Sequence, residues 1–135
     1  MIPNLNPFRK IVMAAVVRVP ATVRDGFNAT FKGAKNIEWS RHRGLFEVIF
    51  YHEEKEMIAR FDREGTLLEY RINLQLSAID HSVRGKASSE GEIMNCIEVH
   101  SLDEVRYEFI VRDKKLKRYL LLTDIEGNRI MKEKL

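Results

Sequence analysis

The sequence predicts an α+β fold in which an antiparallel sheet carries two helices on one face. Three observations predict it. Short runs of alternating apolar residues are separated by polar joints of a few residues, two stretches carry a helical period, and the order helix then four strands occurs twice. Strands joined by short turns must run antiparallel, and an antiparallel sheet packs its helices on one side. The 135 residues, 44% hydrophobic and 32% charged, fit one globular domain.

The first helix is predicted from a four-residue period. Its apolar face consists of Val19, Val23, Phe27 and Phe31. Pro20 suits the first turn, where its missing N–H costs nothing, and Gly33 is suited to the position after the end of a helix. Gly26 lies inside the period and costs about 1 kcal/mol relative to Ala, so we expect packing to hold this helix.

The strands of the first half follow this helix. They are predicted over residues 36–40, 45–51 and 56–61, and the turn Asp62-Arg63-Glu64-Gly65 leads to a fourth strand. Gly supplies the positive φ that a tight turn needs, and Asp accepts hydrogen bonds from turn amides.

The second half repeats this order more loosely. A helix is predicted from Leu76, Ile79, Val83 and Ala87, with Ser77 as its N-cap. Strands are predicted over residues 92–100, 105–112 and 116–123, and a second Asp-x-Glu-Gly turn lies at Asp124–Gly127. The sequence therefore predicts one domain, residues 19–135, built of two tandem repeats, 19–74 and 75–135.

Residues 1–18 form an N-terminal segment with a short apolar run, Ile11–Val17. Seven residues are too few to span a bilayer, which needs about 20, so no membrane-spanning segment is predicted. Two interpretations remain: a strand or short helix that packs on the domain, or the remnant of a targeting signal.

Strand alternation assigns each side chain to one of two faces. The inner face, beneath the helices, is predicted to hold Phe46, Val48, Phe50, Met57, Ala59, Phe61, Tyr107, Phe109, Val111, Tyr119, Leu121 and Thr123, joined by Ile37 and Trp39. The outer face would be polar if it met water alone. Instead it mixes apolar, aromatic and Arg residues, and the candidate partner-binding residues on it are Leu45, Ile49, Tyr51, Ile58, Arg60, Ile110, Arg112, Arg118, Leu120 and Leu122.

Such a composition is typical of protein interfaces. Three explanations remain open: the N-terminal segment or a second copy of the chain covers the face, it binds a different protein, or its apolar residues are scattered without consequence. We expect a non-enzymatic module that binds a protein partner, or forms a homodimer, through this face. The alternative is a protein that binds a small molecule or an anionic ligand.

Enzymatic and metal chemistry lack a sequence signature. The four histidines, His42, His52, His81 and His100, have no zinc-ligand spacing, and Cys96 is the single cysteine. Gly-rich phosphate loops are missing, and a net charge of +3 gives no nucleic-acid-binding tail. We therefore expect no catalytic residue, cofactor, metal or nucleic-acid partner. The densest basic cluster is Lys114–Arg118. It is a candidate contact for an anionic partner, or a set of charges that discourages edge-to-edge pairing of strands.

Three stretches resemble the PepSY-like proteins of Bacteroidetes, also described as β-lactamase-inhibitor-protein-like (BLIP-like). Residues 19–23 (VPATV) resemble the family's Leu-Pro-x-x-Val, residues 31–39 (FKGAKNIEW) its Tyr-Pro-Gly-Ala-x-x-Val-x-Trp, and residues 61–68 (FDREGTLL) its Phe-Asp-x-x-Gly-x-Leu-Leu. The departures are Lys32 in place of the family's Pro, and a second repeat that lacks Trp.

The resemblance implies the repeated α+β fold and a periplasmic or secreted location; a cytoplasmic one is the alternative, because no signal peptide is recognisable. It implies no catalytic residue. A single Cys96 cannot reproduce the disulfides of the inhibitor protein after which the family is named.

Overall fold

The computed structural model describes residues 17–135, in which a helix and four strands are followed by a second helix and four strands. The elements are α1 (Ala21–Thr30), β1 (Lys35–His42), β2 (Leu45–His52), β3 (Lys55–Phe61), β4 (Leu67–Leu74), α2 (His81–Ser88), β5 (Glu92–Ser101), β6 (Val105–Arg112), β7 (Arg118–Asp124) and β8 (Arg129–Lys134). The strands form an eight-stranded sheet in chain order, and the strand pairs with a described register are antiparallel. The predicted α+β class is confirmed.

The predicted structure of the apolar run Ile11–Val17 falls almost wholly outside the described residues. No helix within residues 17–135 is long and apolar enough to cross a membrane. The described chain divides into two compact units, with the boundary between Tyr70 and Arg71, called here the first and second unit. The two-repeat organisation stays a prediction.

The core of the first unit forms where α1 packs on β2 and β3. Val23 and Phe27 of the helix are 0% and 1% exposed. The Phe27 ring meets Phe50 edge-on, with ring centroids 4.9 Å apart. In the strands, Phe46 pairs with Phe61, Val48 with Ala59 and Phe50 with Met57, and all six are buried. The inner face predicted for β2 and β3 is therefore confirmed.

Two residues of β1 differ from the prediction. Ile37 was expected on the inner face but is 43% exposed, because the pairing of β1 with β2 shifts register between Lys35 and Glu38 and the bulge removes Ile37 from the alternation. Trp39 does face inward, opposite Val48, and its ring lies edge-on to Phe27 at 5.3 Å. It is half-buried rather than enclosed.

The second unit has its own core, in which α2 and the turn before it lie over β5, β6 and β7. The buried cluster consists of Ile79, Val83, Ala87, Cys96, Tyr107, Phe109, Val111 and Leu121. In the strands Tyr107 pairs with Thr123 and Phe109 with Leu121. The inward residues predicted for these strands are confirmed, although Tyr119 is half-buried.

Both helices are shorter than predicted. α1 begins after Pro20, which occupies the N-cap position rather than the first turn. In the second unit residues Leu76–Ala78 form a separate 3₁₀ turn, so Ser77 is not the N-cap of α2. That position belongs to Asp80, whose carboxylate accepts a hydrogen bond from the Ser82 amide at 3.2 Å, a favoured capping geometry.

Each helix rests on the Asp-x-Glu-Gly turn of its own unit. A Cβ added to Gly26 of α1 would lie 2.5 Å from the carbonyl oxygen of Gly65, and the Thr22 hydroxyl donates to the Arg63 carbonyl at 3.0 Å. In the second unit a Cβ on Gly127 would lie 3.0 Å from Cα of Val83. Contact therefore favours glycine at position 26, whereas Gly127 is favoured both by contact and by its φ of +89°.

Candidate interaction surface

The outer face of the first unit is the side of β2 and β3 that points away from α1. Here Glu47 pairs with Arg60, Ile49 with Ile58 and Tyr51 with Glu56. Tyr51 is 43% exposed, Leu45 and Ile49 are half-buried, and Ile58 is only 4% exposed. The predicted apolar members share a face as expected, but Ile58 does not offer the open surface that the sequence suggested.

Charged groups on this face are paired with one another. Arg60 Nε donates to the Glu47 carboxylate at 3.0 Å, and another guanidinium nitrogen of Arg60 lies 3.9 Å from Glu69. Glu47 is 2% exposed, and a buried carboxylate requires such a partner. Arg60 is therefore committed within the chain rather than free for an acidic group of a partner.

The outer face of the second unit lies on β6, β7 and β8. Ile110 pairs with Leu120, Glu108 with Leu122 and Arg112 with Arg118, while Leu122 also pairs with Met131 of β8. Ile110, Leu120 and Leu122 are half-buried, and Met131 is 38% exposed. These four residues form a contiguous apolar group, which we call the β6–β8 patch.

Ion pairs border the β6–β8 patch. Arg71 binds Glu108 through two hydrogen bonds of 2.8 and 3.2 Å, and Arg112 donates to Glu92 at 2.8 Å. Within residues 17–135, Arg118 makes no ion pair. It lies directly opposite Arg112, which is itself paired with Glu92. Like charges opposite each other in a sheet are unfavourable, so Arg118 is the arginine of this face best placed for an external carboxylate.

The β6–β7 turn, which begins at Asp113, has the same hydrogen-bonding pattern as the two Asp-x-Glu-Gly turns, a similarity that the sequence pattern did not reveal. In all three an Asp carboxylate accepts hydrogen bonds from the amides two and four residues later, at 2.9–3.0 Å. The accepting residues are Asp62, Asp113 and Asp124. The hydrogen bond from the Lys117 amide, followed by that from Lys115, lowers the pKa of Asp113. The sequence signal was an Asp five residues before the next strand begins, without the Gly that marks the other two.

Metal-ligating and nucleophilic side chains of residues 17–135 were the candidates for chemistry at a site. Among the described residues, no three His, Cys, Asp or Glu side chains lie close enough to hold a metal ion. Cys96 is fully buried, and this burial, followed by the charge of Glu98, raises the pKa of its thiol to about 12, so no thiolate nucleophile forms near neutral pH. His52 hydrogen-bonds the Lys32 carbonyl through Nε2 at 3.1 Å, which is a structural role.

Pockets on the surface of residues 17–135 are candidate sites for a small ligand. One of about 370 Å³ is lined by His42, Arg43, Leu45, Glu47 and Arg60. Its Glu47 and Arg60 are already ion-paired. The polar groups needed to orient a small ligand are therefore partly occupied.

No protein-family model matches the sequence, and no curated protein sequence matches it either. The fold, however, matches solved structures closely. A BLIP-like protein from Bacteroides fragilis has a TM-score of 0.78 at 12% identity, with 89% of each chain covered. A DUF2874 family protein from Bacteroides ovatus has a TM-score of 0.78 at 16% identity, covering 88% of this chain and 89% of its own.

A third structure is that of a protein from Bacteroides eggerthii described as a candidate periplasmic protein. It has a TM-score of 0.77 at 14% identity and covers 87% of this chain and 90% of its own. The predicted resemblance to BLIP-like proteins is thus confirmed at the level of the fold. The chain has the fold shared by the BLIP-like and DUF2874 proteins of Bacteroides.

Proposed function

We propose that this protein is a non-enzymatic, inhibitor-like binding module that recognises another protein through the outer sheet face. The observation that carries the proposal is the β6–β8 patch. Three half-exposed aliphatic side chains and Met131 lie together on the side of the sheet that α2 does not cover. Covering such a group recovers roughly 25 cal/mol for each Å² of apolar surface removed from water.

The chemistry around the patch favours a protein partner over a small molecule. Apolar side chains at the centre and paired arginines at the rim match the usual arrangement of protein interfaces. The guanidinium of Arg118, which makes no ion pair within residues 17–135, supplies charge for a carboxylate of the partner and would raise the association rate more than the affinity. The BLIP-like fold of the Bacteroides neighbour agrees with an inhibitor-like role.

We place the protein in the periplasm. The sequence resemblance implies an exported protein, and the Bacteroides eggerthii neighbour is described as a candidate periplasmic protein. The partner would then be an envelope or secreted protein, or a second copy of this chain.

The test compares Ile110→Ala combined with Leu122→Ala against Leu102→Ala. Leu102 is 74% exposed in the β5–β6 connection, so its replacement removes an apolar side chain away from the β6–β8 patch. Sedimentation equilibrium measures self-association of each variant. Capture from envelope extract, followed by titration with the purified captured protein, measures the heterologous partner.

The proposal predicts a loss of affinity of tenfold or more for the patch variant and none for Leu102→Ala, because truncating buried interface anchors costs more than 1 kcal/mol. Circular dichroism must show that both variants are folded. The proposal would be overturned if the two folded variants associated equally well. It would also be overturned if the chain were monomeric and no captured protein bound it in the titration.

A further inference from the structure

Leu116, at the outer end of the β6–β7 hairpin, occupies a backbone conformation that favours glycine. Its φ is +65°, and the equivalent residues of the two sister turns are Gly65 at +84° and Gly127 at +89°. All three donate their amide to the carbonyl of the turn's Asp, at 3.0 to 3.2 Å. A Leu in this conformation is strained because its Cβ approaches the neighbouring carbonyl.

Burial does not compensate for this strain. Leu116 is 69% exposed, whereas Gly127 is buried and Gly65 is half-buried against the helices. Four other non-glycine residues of the described chain share a positive φ, and all of them are polar or charged. Leu116 is thus an apolar side chain held in water by a turn that would fold more easily with Gly or Asn.

The residues next to Leu116 in the turn are lysines. Lys114, Lys115 and Lys117 are exposed, and none of them forms an ion pair within the described residues. The one acidic group of the turn, Asp113, directs its carboxylate inward to the amides of the turn and to the Tyr119 hydroxyl, at 3.3 Å. The outer end of the hairpin therefore presents one aliphatic side chain between lysines.

We propose that this hairpin end docks on the surface of a bilayer that contains anionic phospholipids. Leu116 would enter the boundary between headgroups and acyl chains, while the three lysines contact the phosphates. An isolated Leu lacks the apolar neighbours that make an anchor in a protein interface. A bilayer supplies hydrocarbon and negative charge together, and basic residues beside an apolar one suit that boundary.

The test is co-sedimentation of the full chain with vesicles of phosphatidylcholine alone or with 30% phosphatidylglycerol added. We expect binding to the anionic vesicles that weakens as salt rises. Leu116→Asn, which suits the positive φ, should reduce binding about tenfold or more while leaving the urea midpoint unchanged or higher. Lys114→Ala with Lys115→Ala should reduce binding by roughly 30-fold, since each lysine near such a surface contributes about fivefold.

Two matched controls separate this site from general effects. Ile125→Asn removes an exposed apolar residue from a sister turn that is flanked by acidic Asp124 and Glu126. Lys35→Ala with Lys55→Ala removes the same charge from the first unit. Both control variants should bind vesicles like the unmodified chain.

Failure to bind anionic vesicles would overturn the proposal, and so would equal loss of binding in both control variants. A third outcome is that the chain does not bind vesicles but binds an acidic protein, and that Leu116→Asn weakens this binding. The hairpin would then be a protein contact, and the lipid proposal would be wrong. The β6–β8 patch variant should still bind vesicles, so this test and that of the proposed function fail independently.

Discussion

Replacing Gly26 with Ala should destabilise α1, although the same change inside a helix normally stabilises it. Replacing Gly by Ala inside a helix ordinarily stabilises it by about 1 kcal/mol. At position 26, however, the new Cβ would lie 2.5 Å from the Gly65 carbonyl oxygen, whereas ordinary van der Waals contact begins near 3.4 Å. The helix and the turn must therefore separate by nearly 1 Å.

Relief of that contact is costly because the turn is held from both sides. A Cβ at Gly65 would itself clash with the Thr22 backbone, and the Thr22 hydroxyl ties the turn to α1 through the Arg63 carbonyl. Overpacking in such sites costs about 1–3 kcal/mol. Subtracting the gain in helix propensity of about 1 kcal/mol, we expect Gly26→Ala to destabilise the fold by up to about 2 kcal/mol.

Gly85 of α2 is the matched control. It too is a helical glycine, but an added Cβ would have no neighbour within 4 Å, so Gly85→Ala should stabilise by about 0.5–1 kcal/mol. Urea unfolding followed by Trp39 fluorescence and circular dichroism measures both. The reasoning is refuted if Gly26→Ala raises the urea midpoint as Gly85→Ala does.

Three further predictions concern stability and reactivity. In urea unfolding, Gly65→Ala should cost about 3 kcal/mol or more and Gly33→Ala about 1 kcal/mol. Both glycines have a positive φ, but a Cβ at Gly65 would meet the Thr22 backbone, whereas a Cβ at Gly33 would have open space. Equal costs would contradict the role of that Thr22 contact. Trp39→Ala should cost about 2 kcal/mol, below the range of 3–5 for an enclosed aromatic, since its ring is half-buried; a loss of 4 kcal/mol by calorimetry would show deeper packing. Cys96, with its pKa raised to about 12 by burial, should resist thiol reagents until the chain unfolds. Rapid labelling of the native protein at pH 8 would disprove that protection. Because burial raises the pKa of the thiol above its ordinary value of 9.0, the unfolded chain loses this proton first, and the free energy of unfolding should fall as pH rises above about 9.

The alternating strands were predictable because their side-chain period determines which face is buried. Phe46, Val48 and Phe50 read as one face in the sequence and are one face in the structure. Ile37 fits the same alternation but is exposed, because a bulge shifts the register of β1. A bulge depends on hydrogen bonding with the neighbouring strand, so the local sequence did not reveal it.

The start of α2 was misplaced for a related reason. Leu76 and Ile79 fit the helical period, and Ser77 is a good N-cap residue. Asp80 competes successfully because its carboxylate caps the Ser82 amide while Ile79 is buried in extended conformation before the helix. Periodicity does not separate a helix from an irregular segment that buries residues at the same spacing.

The candidate surface was predictable in composition but not in exposure. Alternation placed Ile49 and Ile58 on the same face, and the register agrees because it pairs them. It did not show that Ile58 and Glu47 would be buried or that Arg60 would be held by Glu47. Burial of an outer-face residue depends on neighbours distant in sequence, which one strand's pattern does not contain.

The turns that begin at Asp62, Asp113 and Asp124 share one hydrogen-bonding pattern but differ in whether a helix packs against them. Gly65 and Gly127 lie against α1 and α2, where any side chain would meet backbone atoms, so these turns are constrained by packing. The turn at Leu116 carries an exposed side chain in the same conformation, and no helix limits what it presents. A turn whose backbone is already fixed by an Asp carboxylate can carry a strained apolar residue at modest cost. The β6–β7 hairpin is therefore the turn of this type in which selection for binding can act without disturbing a helix.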